Sequence, residues 1–502
     1  MTIVNHKKIA KNTVVLYFRT FVILAISLYT SRVVLDVLGQ DNYGIYNLIA
    51  GVVVLFSFIT NAMTNSTQRF LNYSMGVGET KQIISVFSSA RIAHLIITGV
   101  FIVATETIGL WFFTTQLNLP AGREFAAMWV YQTMVLSTIF GIIVVPYRSA
   151  IIAVERMEVF AYLSIVEVIL KLAIALALPI LPGDHLVVYG ILYTFVSIAT
   201  YGVFRLSCHR YFEHSRHRLV WDKKQFKELF TFSGWYILGG TAMVASKQGS
   251  NILINLFFNV AVNAAVGLAN QVRAAVYGFI TNFQTAFNPQ IVKLYAAHEM
   301  PTLVSLIFKS TKFSYYLLLI MVLPIILFCN KLLEIWLTEI PPYTIIFTQL
   351  VLISSFFDTL SSPIWTAIGA TGNVKVYQIV VSIILIIEVP LTYVLFKLGF
   401  NPLYAFVTNI VVAFVAYLYR LLYIRKYIYY SLRIYLKDVV WPCIRVTVIS
   451  LPIPAYLAYI SSETIEVILS FITSFLICCS MIWLVGLSSG ERMLVTEFLK
   501  RH

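Results

Sequence analysis

Charge is scarce in this chain: only 12% of its 502 residues are Asp, Glu, Lys or Arg. Cysteine is scarcer still. Cys208, Cys329, Cys443, Cys478 and Cys479 show neither C-x-x-C nor zinc spacing, so they read as reduced packing residues. G-x-x-x-x-G-K-[ST] is absent, which argues against ATP hydrolysis by this chain. No Ser/His/Asp order stands out, no paired carboxylates share a soluble cleft, and no catalytic set emerges. No polar stretch is long enough for a sizeable soluble domain.

What fills the chain is apolar. Hydrophobic residues make up 59%, and the mean hydropathy is +0.84. Fourteen runs of about twenty apolar residues recur between Asn12 and Leu487, the length a helix needs to cross a bilayer core about 30 Å thick. The expected spans are 13–37, 43–66, 83–110, 125–147, 158–178, 186–205, 230–257, 262–286, 305–328, 343–368, 375–396, 401–420, 438–459 and 465–487. Met1–Ser31 starts like a signal peptide. It lacks an A-x-A site and stays apolar up to Arg32, so it reads as the first span.

The formal net charge is +14, but the cations are not spread evenly. With Met1 cytoplasmic, twenty-six Lys and Arg fall in inside segments and only Arg123, Lys331 and Lys397 fall outside. Basic loops are retained in the cytoplasm, so this asymmetry fits an even span count with both termini inside. It explains the positive charge through topology and anionic lipid headgroups, not nucleic acid. The longest polar stretch, Leu206–Glu228, adds His209, His214 and His217 to its cations. The irregular spacing of the histidines argues against a metal site there and for a linker.

Phe58-Ile59-Thr60-Asn61 recurs as Phe279-Ile280-Thr281-Asn282. Each copy sits late in the second span of its half. Six spans, a basic linker and six more spans describe a parallel repeat, with a site expected between the halves. The expected fold class is an all-α polytopic membrane protein with about 14 transmembrane helices. It divides into an N-lobe (1–206), a basic linker (207–229), a C-lobe (230–436) and two C-terminal helices with a tail (437–502).

Ser27-Leu28-Tyr29-Thr30-Ser31-Arg32-Val33-Val34-Leu35, followed by Leu38-Gly39 and Asp41-Asn42-Tyr43-Gly44-Ile45-Tyr46, resembles the opening of bacterial polysaccharide flippases of the Wzx type. Ser66-Thr67-Gln68-Arg69-Phe70 resembles the start of their first cytoplasmic loop. The superfamily also holds multidrug MATE exporters and the lipid II flippase. The resemblance implies flipping of a lipid-linked oligosaccharide across the bacterial inner membrane by alternating access, with no chemistry on the substrate.

A charge at mid-bilayer costs roughly 2.5–3.5 kcal/mol on insertion scales, so each one needs a reason. Asn270, Arg273, Tyr277, Thr281, Gln284 and Asn288 share one face of span eight, lining either a wet cavity or a helix interface. Ser57, Asn61, Thr64, Asn65 and Gln68 do the same in span two. Lys247 and Asn251 lie on the polar side of span seven. Span one carries Arg19 and Arg32; their spacing sets them on different faces, and Arg32 can pair with Asp36. The substrate-binding candidates are therefore Arg19, Arg32, Asn61, Asn65, Gln68, Lys247, Asn251, Asn270, Arg273, Tyr277 and Gln284. Glu167 and Lys171 have i,i+4 spacing and read as a pair. Asp358 and Glu388 are candidates for ion coupling; each can bind Na⁺ or H⁺ or neutralise a nearby Arg. No cofactor or metal is expected, and coupling to Na⁺, H⁺ or the membrane potential stays open. The expected partners are a lipid-linked oligosaccharide, membrane lipids and other polysaccharide assembly proteins, with the chain a monomer. Three alternatives stand beside the flippase: a cation-coupled multidrug exporter, a membrane polysaccharide polymerase or glycosyltransferase, and a non-transport scaffold for an envelope assembly complex, which would not need aligned polar stripes in opposite halves.

Overall fold

The structure is a computed structural model that describes residues 6–54, 57–116, 122–216, 220–258, 260–337 and 340–500. Among these residues the chain is helical, with no strand. The first two helices are α1 (His6–Val54) and α2 (Ser57–Val77). Next come α3 (Thr80–Thr115), α4 (Glu124–Ala153), α5 (Met157–Ile180) and α6 (His185–Tyr211). Then follow α7 (Lys223–Phe257) and α8 (Val260–Ala296). The remaining long helices are α9 (Met300–Leu327), α10 (Thr344–Thr371), α11 (Lys375–Lys397), α12 (Leu403–Ile424), α13 (Leu432–Ile460) and α14 (Thr464–Gly486). A final helix, α15, covers Ser489–Lys500.

Ten of these helices, α3 to α6 and α9 to α14, are long and apolar enough to cross a membrane. The protein is a multi-pass membrane protein. The outward faces agree: on α14, Ile465, Ile468, Leu469, Ile472 and Leu476 are all exposed. Such a stripe is stable only against lipid, because in lipid the aliphatic side chains lose nothing and the helix satisfies its own backbone.

The expected break between spans one and two falls at Gly39. Its φ of 75° and ψ of 168° interrupt α1, in a region that glycine enters without a Cβ penalty. Several spans are not uniform helices. Tight packing on α3 is helped by Tyr131, whose hydroxyl donates to the Thr105 carbonyl at 2.6 Å within a π-helical turn. In α11, Pro390 removes an N–H, and the helix breaks between Ile386 and Glu388.

Cα packing divides the chain into a unit of Lys11–Ile237 and a unit built on Leu238–His502. The boundary lies inside α7. In the first unit the core joins α1, α3, α4, α5 and α6 through residues such as Ile49, Val130 and Leu186. The segment after α6 is held in place. His209 Nδ1 meets Ser215 Oγ at 2.8 Å, and Arg216 Nε donates to the His209 carbonyl at 2.8 Å. Asp222 caps α7 by accepting from the Lys224 and Gln225 amides at 3.0 and 3.1 Å, and Ser85 Oγ of α3 donates to it at 2.8 Å. These bonds, led by the Gln225 amide, hold the Asp222 carboxyl below its ordinary range.

In the second unit the core runs through α8, α9, α10, α11 and α12. The two C-terminal helices pack on α9 through Tyr316, Leu319, Val446 and Cys478. Gly486 is required there. A Cβ at this position would stand 2.9 Å from the Tyr316 ring and 3.0 Å from Val446 Cγ2. All five cysteines are free, and four are buried, as the sequence suggests.

Candidate functional site

Each unit gathers cations inside its helices. In the first unit the centre is Glu167 on α5. Lys171 Nζ, one turn along, donates to Glu167 Oε1 at 2.8 Å, the expected i,i+4 pair. Arg148 of α4 donates to the other oxygen at 2.8 Å, which the sequence reading misses. It is brought there because α4 breaks at Val144 and restarts over Val145–Ala153. Arg19 lies within electrostatic reach of both Arg148 and Glu167. Its guanidinium sits 4.7 Å from the centre of the Phe160 ring. It makes no hydrogen bond or ion pair among the described residues, and its Nε is buried without a partner. Arg148 lies 4.7 Å from the Phe204 ring and Lys171 lies 4.6 Å from the Tyr193 ring. Cation–π contacts of this kind hold charges in apolar surroundings without neutralising them. Three cations therefore surround one carboxylate.

In the second unit Arg273 of α8 donates from Nη2 to Asp358 Oδ2 of α10 at 2.6 Å. Its Nε donates to Ser355 Oγ at 3.1 Å, and its guanidinium lies 5.9 Å from the Tyr277 ring. Asp358 is thus not a lone carboxylate. Its partner is Arg273, the second of the two roles offered for this carboxylate. Removing Arg273 would leave the Asp358 carboxylate without this partner. Arg420 of α12 donates to the Tyr377 hydroxyl at 3.0 Å and lies within electrostatic reach of Asp358 and Tyr277. Lys247 of α7 is exposed, within electrostatic reach of Arg273, and makes no hydrogen bond or ion pair among the described residues.

Two members of the span-eight stripe, Arg273 and Asn288, bond to α10. Beside the Arg273 contacts, Thr366 Oγ1 of α10 donates to Asn288 Oδ1 at 3.1 Å. Asn270 donates to its own helix at Val266 O, 3.0 Å away. Gln284 is buried, and its Nε2 has no partner. On α7, Asn251 donates to Gln248 Oε1 at 3.2 Å. On α2, Asn65 is exposed and Gln68 half-buried. The side chains of Arg32 and Asn61 lie outside the described set, as do those of the first repeat copy, 58–61.

Glu388, the second ion-coupling candidate, is buried at the break in α11. Oε2 accepts from Ser246 Oγ of α7 at 2.8 Å and from Asn409 Nδ2 of α12 at 3.1 Å; Oε1 accepts from Ser250 Oγ at 3.0 Å. Gly249 lies on the same face of α7, and a Cβ there would come within 2.7 Å of Val389 Cγ2. That close approach is what brings the two serines to the carboxylate.

A model of the polysaccharide biosynthesis protein family matches residues 9–295, more than half of the chain. The chain belongs to that family. Its fold is that of MOP superfamily transporters. An outward-facing multidrug resistance MATE family transporter superposes with a TM-score of 0.73 at 13% identity, covering 85% of this chain and 97% of that one. A MOP superfamily transporter from Pyrococcus furiosus gives 0.70 at 12% identity, covering 84% and 96%. A MATE structure in the straight conformation gives 0.70 at 13%, also covering 84% and 96%. No curated protein matches the chain. Family and fold together describe a multi-pass membrane protein of the polysaccharide biosynthesis family with a MATE-like fold.

Proposed function

We propose that the protein moves a lipid-linked oligosaccharide from the cytoplasmic to the outer leaflet of a bacterial inner membrane, with both of its termini cytoplasmic, for surface polysaccharide synthesis. The observation that carries this reading is the excess of cations inside the helices. Arg19, Arg148 and Lys171 face one carboxylate, Glu167. Lys247, Arg273 and Arg420 stand with Asp358 and the separate Glu388. Cations left without counter-charges in a membrane are costly unless an anion completes them. A polyprenyl pyrophosphate supplies that anion through charge-assisted hydrogen bonds. Asn65, Gln68 and Asn251 offer amides for the glycan hydroxyls, while the prenyl tail stays in lipid. An inside-negative potential favours outward movement of negative charge by roughly 2.3 kcal/mol per charge per 100 mV.

The structural neighbours include multidrug transporters, so drug export is the competing reading. A positive interior disfavours cationic drugs. In the Pyrococcus furiosus transporter a reversed polarity of the binding pocket suggests a different function; that holds for that protein alone. The test is depletion of the protein in its native host. A lipid-linked oligosaccharide should accumulate in the inner leaflet, and its mass identifies the glycan. Depletion with no such accumulation, accompanied by drug hypersensitivity, would support export instead.

A further inference from the structure

The end of α6 and the turn after it gather cations that no carboxylate answers. Arg205 of α6, Arg91 of α3 and Arg216 all lie within electrostatic reach of His209. The surface against which they sit is aromatic. The Arg91 guanidinium stands 5.9 Å from the centre of the Phe87 ring and 5.8 Å from that of Tyr147 on α4. The Tyr147 and His209 rings meet edge to face at 6.3 Å, and Phe87 packs on Phe212 at 5.3 Å. Phe87, Tyr147 and Phe212 are buried, Arg91 and His209 are half-buried, and Arg205 and Arg216 are exposed.

The hydrogen bonds in this cluster leave donors over. Ser215 Oγ donates to the Phe212 carbonyl at 2.7 Å, so it accepts from His209 Nδ1–H at 2.8 Å. Nε2 is then the free ring nitrogen. Arg216 uses Nε on the His209 carbonyl and keeps both terminal amino groups. Arg205 has one long contact, from Nη1 to the Tyr201 hydroxyl at 3.4 Å. Arg91 makes no hydrogen bond, and none of the four forms an ion pair, among the described residues. The carboxylates on the adjoining segment do not serve them: Glu213 is exposed, and Asp222 accepts from Ser85 and from its own helix. Retention of cations on one side of a membrane explains basic loops. It does not require three arginines from three elements to converge on one histidine.

We propose that Arg91, Arg205, His209 and Arg216 form a phosphate-binding site, filled by the headgroup of an acidic phospholipid or by free phosphate. The site shares no residue with the cluster around Glu167 and does not depend on the flippase reading. A guanidinium fork matches two phosphate oxygens at once. A phosphate carries several oxygens around one compact charge, so it meets forks arriving from three elements. A carboxylate has two oxygens and is filled by one fork. When protonated, His209 adds Nε2–H as a further donor. Low-dielectric aromatic walls under a cationic rim concentrate the field where the anion sits. With no anion bound, the arginines repel one another.

The test is thermal unfolding of the purified full-length protein in neutral detergent at constant ionic strength. Phosphatidylglycerol, phosphatidylcholine or inorganic phosphate is titrated in. A ligand of the folded state raises the melting temperature with concentration, which gives an apparent Kd. Phosphatidylglycerol or inorganic phosphate should stabilise the wild type, and phosphatidylcholine should not. A response to only one of the first two names the source of the phosphate; a response to both means the site takes either. Arg91→Gln and Arg216→Gln should each raise the apparent Kd about tenfold, about 1.4 kcal/mol of interaction. Arg91→Lys should lose less, since it keeps the charge without the fork. Without ligand, Arg91→Gln should melt no lower than wild type, because repulsion is relieved. Arg210→Gln removes the same charge from the same stretch, but Arg210 lies 5.8 Å from the Tyr211 ring, outside the cluster. It should leave the apparent Kd unchanged. No response to either phosphate source beyond that to phosphatidylcholine would overturn the proposal. So would Arg91→Gln and Arg216→Gln proteins that bind like wild type, or an Arg210→Gln loss as large as theirs.

Discussion

Arg273 on α8 and Asp358 on α10 pair at 2.6 Å across 85 residues of sequence, with side chains 25% and 34% exposed. The pair is neither sealed in the core nor freely solvated. It fixes one end of Arg273 while Ser355 holds its Nε. Arg273→Ala leaves Asp358 unpaired and should destabilise the protein by roughly 1–3 kcal/mol, less than the 3–5 kcal/mol of a fully buried pair. Adding Asp358→Asn should recover most of that loss in thermal unfolding. Flipping should stay impaired in the double variant if Arg273 contacts the headgroup. Recovery of both together would make the pair purely structural.

Lys312 of α9 pairs with Glu491 at the start of α15 at 2.6 Å, and both side chains are at least nine-tenths buried. Glu491 also accepts from the Ser488 amide and hydroxyl at 2.8 and 2.9 Å. Lys312→Met should cost roughly 3–5 kcal/mol by stranding Glu491. Combined with Glu491→Gln it should cost far less. Thermal unfolding of the two variants checks this; equal losses would show that the pair is not coupled.

Arg123 and Asp184 lie before α4 and before α6, outside the spans. The Arg123 hydrogen bonds, with the Leu186 and Val187 amides, hold the Asp184 carboxyl below its ordinary range despite some burial. A depressed carboxylate contributes stability that is full above the unfolded value, about 3.9, and lost as pH falls through the folded value. With a third of the side chain exposed, that contribution is roughly 1 kcal/mol. The melting temperature of Asp184→Asn should therefore fall below that of wild type at neutral pH, and the gap should close in strong acid. A gap that persists in acid would assign the effect to packing.

Much of the membrane architecture is readable in the sequence because hydropathy has to satisfy a bilayer at each crossing. The Glu167–Lys171 pair is also readable, since i,i+4 spacing makes it local. Partners from other helices are not. Nothing in the sequence says that Arg148 reaches Glu167, because the break in α4 sets its direction. Asp358 reads equally well as an ion site or an arginine partner until α8 is laid against α10. Lys312 counts among inside cations by position, yet it is buried against the C-terminal helix. Glu388 stands out as a lone carboxylate, but the two serines and the amide around it come from helices more than twenty residues away in sequence. Spacing within one helix cannot reveal such a cage.

The central claim is tested most directly in vesicles containing the purified protein and a labelled lipid-linked oligosaccharide, by measuring label accessible in the outer leaflet. The account predicts protein-dependent appearance of the glycan. It further predicts that Arg19→Gln and Lys247→Gln each slow that appearance at least about tenfold, a loss of about 1.4 kcal/mol of interaction. Both variants should keep their thermal stability, because neither cation has an ion-pair partner among the described residues to strand. Vesicles that leave the glycan on its original side while expelling cationic drugs would contradict the account.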